Sequence, residues 1–268
     1  MLFGQFNDLV LHFKENGPAD SPTIVFANSL GTDLRIWDGV AARLGSGLRV
    51  LRYDLRGHGL SEAPSAPYAL DDHVGDLAAL MDSRGVKSAL LVGLSVGGMI
   101  AMALANRRPD LVRALILCDT AHRIGTREMW DARITAVRQG GIASIADAVL
   151  QRWFAAEFRA ARPAELAGYR NMLARTPVEG YAGTCATVRD ADLTGIAGKL
   201  ALPVLCLVGD EDGATPPELV EDMARRIPNS SLQVIERCGH IPCVEKPDEL
   251  AQLILAFVSK HLKENSHV

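Results

Sequence analysis

A chain of 268 residues, 48% of them apolar, can bury a sizeable core, so global disorder is excluded. The net charge of −4 gives no electrostatic footprint for nucleic acid or for an anionic membrane surface. The five cysteines, at 118, 185, 206, 238 and 243, are an odd and scattered set that fits a reducing cytoplasm better than a disulfide framework.

The N-terminus lacks a basic segment followed by an apolar one, so no secretory signal is expected. Residues 9–13 form a short edge-strand candidate, and 23–27 a buried strand ending in the small-residue loop Asn28-Ser29-Leu30-Gly31. Residues 48–53 form a third strand. It runs into Asp54-Leu55-Arg56-Gly57-His58-Gly59, a turn rich in residues for unusual backbone angles. Asp71 reads as the N-cap of a helix reaching Asp82, with Val74, Leu77 and Met81 on one face. Residues 89–92 read as a buried strand, and a buried helix from Gly98 stops at Pro109. The uncharged run 88–106 is long enough to span a bilayer, but its glycines and serines fit a strand plus a helix better. Residues 114–118 form another buried strand.

From 121 to about 190 the pattern changes to helical periodicities, at 128–139, 142–158, 163–174 and 179–189. Strand signals return at 203–208 and 232–235, and a last helix starts at Pro247 and runs to about Leu262. Alternating strands and helices predict an α/β fold with a mostly parallel, twisted sheet flanked by helices. The expected organisation is a core of residues 1–120 and 191–268 and a four-helix cap inserted at 121–190. Ligands are expected at the C-terminal ends of the strands.

Between the strand at 89–92 and its helix stands Gly93-Leu94-Ser95-Val96-Gly97. Strand, Gly-x-Ser-x-Gly and helix is the pattern of a nucleophile elbow, a sharp turn that lifts a serine hydroxyl above the sheet. A serine needs a base, usually a histidine oriented by a carboxylate. Of seven histidines, His12, His261 and His267 lie near the termini, and His73 reads as capping or solvated in a helix's first turn. His122 could face the cleft and His58 is a reserve candidate. Only His240, after the last strand, has the chain order serine, acid, histidine. The acid stands in Gly209-Asp210-Glu211-Asp212, where spacing leaves all three carboxylates open. The backbone amides of Val96 and Leu30 are the expected oxyanion donors. The pair of cysteines around His240 is a weak metal pattern, since no second ligand cluster is near in sequence.

With these motifs the chain resembles the α/β-hydrolases, and among them the 3-oxoadipate enol-lactonases. The resemblance runs through Asn28-Ser29-Leu30-Gly31-Thr32-Asp33, Arg52-Tyr53-Asp54-Leu55-Arg56-Gly57-His58-Gly59 and Gly93-Leu94-Ser95-Val96-Gly97-Gly98. It continues through Ile124-Gly125-Thr126, Trp130-Asp131-Ala132-Arg133-Ile134, Arg152-Trp153-Phe154 and Val188-Arg189-Asp190-Ala191-Asp192. It implies an α/β-hydrolase fold, a lactone as small-molecule substrate, no cofactor and no metal. In the family pattern Gly-x-x-Asp the acid is the fourth residue, which selects Asp212. Many members have His-Gly where this chain has Asn28-Ser29, so those two side chains are kept as substrate-binding candidates. A substrate carboxylate calls for a paired cation. In the helix at 128–139, Arg133 and Arg138 flank an apolar face formed by Trp130, Ile134 and Val137. Similarity at Trp130-Asp131-Ala132-Arg133 favours Arg133 as the cation and Trp130 as an apolar wall, with Arg138, Arg189 and Arg123 behind it. Two other classes fit the core motifs: a hydrolase for neutral esters or carbon–carbon bonds, and a non-catalytic ligand receptor.

Overall fold

The structure is a computed structural model and describes residues 2–262. The chain begins with the antiparallel hairpin β1 (Leu2–Phe6) and β2 (Leu9–Asn16), followed by β3 (Thr23–Ala27), β4 (Arg49–Tyr53) and β5 (Ala89–Leu94). The sheet is completed by β6 (Val112–Cys118), β7 (Val204–Gly209) and β8 (Ser230–Ile235), in the order β1-β2-β4-β3-β5-β6-β7-β8. Every pairing beyond β2–β4 is parallel. β3, β4, β5 and β7 are buried at every position, because helices cover both faces of a parallel sheet.

Helices α1 (Asp38–Ala41), α2 (Leu70–Ser83) and α3 (Val96–Arg107) connect β3, β4, β5 and β6 in turn, and α3 is buried from Val96 through Ala105. Between β6 and β7 the chain forms α4 (Arg127–Gly140), α5 (Ala146–Trp153), α6 (Ala156–Ala161), α7 (Pro163–Ala174), α8 (Val178–Asp190) and α9 (Thr194–Ala197). The chain closes with α10 (Pro217–Arg226), α11 (Pro242–Glu245) and α12 (Pro247–His261).

The register sets Ala27 opposite Gly93, Leu94 opposite Cys118 and Gly209 opposite Ile235. The C-terminal ends of β3, β5, β6, β7 and β8 therefore share one edge of the sheet. The chain also changes direction at β3, between β4 and β5, which opens a crevice at that edge.

Several expectations need correction. Residues 9–13 are not at the edge, because β1 adds outside them. Its hairpin turns through Asn7 and Asp8, which adopt φ of 49° and 62°, angles that these residues tolerate. The N-cap of α2 is Ala69 rather than Asp71, and Asp72 accepts the Ala69 N–H at 2.8 Å. α10 was not anticipated.

The helix expected over 142–158 is broken. A 3-10 turn at Ile142–Ser144 precedes α5, and Phe154 is extended with φ −119° and ψ 137° before α6 begins. Tertiary partners take the peptide groups that would have continued the helix. The Trp153 carbonyl accepts the His240 N–H at 2.8 Å, Ala155 N–H donates to Glu245 at 3.0 Å, and Ala156 N–H donates to Glu211 at 2.9 Å. Residues 121–190 thus hold five helices instead of four.

Candidate active site

Ser95 sits between β5 and α3 with φ 57° and ψ −119°, a backbone conformation that costs roughly 1–3 kcal/mol. The surroundings hold it there. Its N–H donates to the Cys118 carbonyl at 3.0 Å, and its own carbonyl accepts from Gly98 N at 2.9 Å and Thr120 Oγ1 at 2.6 Å. A Cβ at Gly93 would overlap the Gly97 carbonyl, and one at Gly97 would overlap the Ala27 carbonyl. The two glycines let strand and helix close on each other, and the serine is left at the apex.

His240 lies in the loop after β8 and Asp212 in the loop after β7. Their Nδ1 and Oδ2 atoms are 2.8 Å apart, and both residues are buried. This bond leaves Nε2 as the ring nitrogen free to act on a ligand. Asp212 Oδ1 accepts the N–H groups of Ala214 at 2.7 Å and Thr215 at 3.0 Å, and Oδ2 also accepts the Thr215 hydroxyl at 2.6 Å. Burial alone would push the Asp212 carboxyl up, but the charge of His240 and these donors hold it below its ordinary value. Of the three candidate acids only Asp212 reaches His240. Asp210 accepts the Cys238 N–H at 3.1 Å, and Glu211 accepts that of Ala156.

Ser95 and His240 line one small cavity of about 70 Å³, together with Ser29, Leu30, Trp130, Arg133, Arg152 and Tyr181. The amides of Leu30 and Val96 have no protein acceptor among the described residues. They come from the loop after β3 and from the first residue of α3. Trp130 is fixed by its indole N–H, which donates to the Ile124 carbonyl at 2.7 Å, and the Arg133 guanidinium lies 5.1 Å from the centre of its ring. The cavity wall thus combines one apolar face with a cation.

A sequence profile for the alpha/beta hydrolase fold matches residues 22–247. The chain belongs to the α/β-hydrolase family. It is 33% identical over 253 residues to 3-oxoadipate enol-lactonase 2 of Acinetobacter baylyi, covering 94% of each protein. The solved enol-lactonase of Burkholderia xenovorans matches with a TM-score of 0.93 and 37% identity, over 96% of this chain and all of that one. A thermophilic esterase from Thermogutta terrifontis, solved with malate bound, matches with a TM-score of 0.90 and 29% identity, over 97% of this chain and 98% of that one.

Two substrate-binding candidates do not reach the cavity of this hydrolase. Asn28 is fully buried, with Nδ2 donating to the Tyr53 carbonyl at 2.8 Å and Oδ1 accepting from the Trp37 indole at 2.8 Å. Its amide is consumed in fixing the β3 loop. Arg138 points to the exposed side of α4 and pairs with Glu179 at 3.2 Å. Arg189 is held by Asp131 and Asp190, and Arg123 is exposed.

Among the described residues no other histidine lines this cavity. His12 pairs with Asp54 at 2.7 Å, and His122 lies 3.7 Å from Asp222. His58 and His73 are buried rather than solvated, and burial lowers the pKa of both. His267 falls outside the described residues.

Sequence reasoning gave no site role to three residues. Arg152 and Tyr181 line the cavity, and Asp119 follows β6 directly. Asp119 is fully buried and accepts the Gly209 N–H at 2.9 Å; burial and then the Asp212 charge push its carboxyl well up. Its position one residue past a buried strand was the available signal. One donor atom each of Asp119, Asp212 and His240 lies within 4.8 Å of the others. A cation there would have to displace the proton shared by His240 and Asp212, so the donor set suits an acid–base relay better than a metal.

Proposed function

We propose that this hydrolase opens 3-oxoadipate enol-lactone to 3-oxoadipate, with residues 121–190 serving as a helical cap over a core of residues 1–120 and 191–268. Ser95 Oγ attacks the lactone carbonyl while His240 Nε2 takes its proton and Asp212 stabilises the resulting imidazolium. The Leu30 and Val96 amides receive the oxyanion. The ring C–O bond then breaks, and the enolate leaves and takes up the proton held by His240, becoming a ketone and leaving the ring neutral again. Water, deprotonated by His240, hydrolyses the acyl-enzyme and restores Ser95. The steps use protein groups and water alone.

Convergence of Ser95 and His240 with Arg133 and Trp130 on one small cavity supports this reading. Arg133 would hold the carboxylate of the lactone's acetate arm and Trp130 would cover the ring. Similarity to the enol-lactonases and to an esterase solved with malate supports an acidic ligand. A hydrolase for neutral esters would be favoured by a cleft without cations, and Arg133 weighs against it. The implied setting is aromatic catabolism through the β-ketoadipate route in the cytoplasm. The five buried, unpaired cysteines fit a reducing compartment, and no helix among the described residues is long and apolar enough to cross a membrane.

The test is steady-state turnover of the enol-lactone against p-nitrophenyl acetate. The lactone should lead in kcat/KM by on the order of 10²-fold or more, the size of one desolvated ion pair. Equal values for the two substrates would defeat the reading.

A further inference from the structure

The cavity holds two cations. Arg133 comes from α4 and Arg152 from the last turn of α5. Other arginines of the helical segment sit on acids: Arg127 and Arg189 on Asp190, Arg162 on Glu165, Arg170 on Asp147. Arg133 and Arg152 have no carboxylate partner among the described residues. Arg152 is nevertheless anchored. Its Nε donates to the Gly213 carbonyl at 2.7 Å, and the Gly213 N–H donates back to the Arg152 carbonyl at 3.2 Å. This clamp ties Arg152 to the residue that follows Asp212 and leaves the outer nitrogens of its fork for a ligand. Partial burial, and then the positive field of Arg133, oppose the charge on Arg152. A guanidinium does not lose its proton in a protein, so two positive charges face the cavity, tempered only by the field of the Asp212 carboxylate, until an anion arrives.

We propose that Arg152 is a second anion-binding residue of this cleft and that the preferred ligand class is a dicarboxylate of small size. The inference rests on the reading of the cavity as an ester-opening site, and deepens it. Opening a lactone that bears one carboxylate creates a second one. The two-arginine wall then meets a product of two negative charges, so the product is held more tightly than the substrate's charge alone would predict.

The experiment is calorimetric titration of adipate and of hexanoate, a monoacid of equal length, at fixed ionic strength into wild-type protein, Arg152→Gln and Arg152→Lys. Wild-type protein should bind adipate at least roughly tenfold more tightly than hexanoate. Arg152→Gln should erase most of that preference, and Arg152→Lys should keep much of it, because it restores charge without the Nε donor to Gly213. A purely structural role would make Lys fail like Gln, with both acids weakened together. That result would overturn the proposal, as would wild-type protein that does not distinguish the two acids or Arg152→Gln with an intact preference. Binding is read without turnover, so a failed lactone assay leaves this test standing and separates the two readings.

Discussion

On the strand side of the cavity the polar groups are bonded to one another. Asp212 accepts four hydrogen bonds, Asn28 spends its amide on Tyr53 and Trp37, and the Ser95 carbonyl is held by Gly98 and Thr120. On the helical side Arg133 and Arg152 face the same space without an acid between them. Reacting groups need fixed geometry, which parallel strands and their short loops supply through backbone hydrogen bonds. Ligand choice needs a charge that only the ligand completes. Under the proposed function, the difference between the two walls separates what the cleft does to a carbonyl from which molecules it admits.

Substitutions on the strand side should damage every substrate alike. Ser95→Ala and His240→Ala should each remove turnover by roughly 10⁶, with the double variant hardly worse, because the pair acts as a unit. A folded Ser95→Ala protein with near-wild-type hydrolysis, checked by circular dichroism and initial rates, would dissolve the contrast. Asp212→Asn should cost about 10⁴ in turnover. Asp210→Asn should be mild, since its carboxylate serves the Cys238 amide. A reversal of these two effects would move the acid.

The helical side should break selectively. Arg133→Leu should lower kcat/KM for the carboxylated lactone by about 2–5 kcal/mol in transition-state binding and weaken a neutral ester far less. Arg138→Leu, which removes an exposed pair worth about 0–1 kcal/mol, is the control. Equal losses on both substrates in Arg133→Leu would show a displaced wall instead of a lost cation.

The last expected effect is on stability rather than turnover, and concerns the cost of rigidity on the strand side. Burial lowers the His58 pKa to about 4, against 6.5 for a free histidine. The unfolded chain therefore binds this proton first, so the contribution is fully present above pH 6.5 and is lost as pH falls through 4. It amounts to about 3 kcal/mol. Glu245, raised to about 7 by burial, works in the opposite direction and loses stability as pH rises from 4.5 to 7. Urea midpoints of His58→Gln should fall less steeply than wild type between pH 6.5 and 4. An unchanged slope would assign the acid sensitivity to other groups.

Much of the site was legible along the chain. The Gly-x-Ser-x-Gly turn was readable because strand–helix closure requires glycines at fixed offsets from the serine, so Gly93, Ser95 and Gly97 carry their geometry locally. Buried parallel strands were readable as continuous apolar runs, and their C-terminal loops could be named before their positions were known. His240 followed from chain order. Asp212 did not follow from spacing, because Asp210, Glu211 and Asp212 differ only in which backbone amides and which ring they meet across space.

What only the tertiary structure decided is where side chains of similar local pattern point. Arg133 and Arg138 flank one helix face, yet one meets the cavity and the other meets Glu179. Arg152 is held at the cavity by Gly213, and α5 stops one residue later because His240, Glu245 and Glu211 capture the peptide groups that would have extended it. His73 has the spacing of an exposed first-turn residue but is buried. Periodicity reports which face of an element is apolar. The identity of the element packed against that face, and the hydrogen bonds that it takes, are properties of distant segments, and no local pattern contains them.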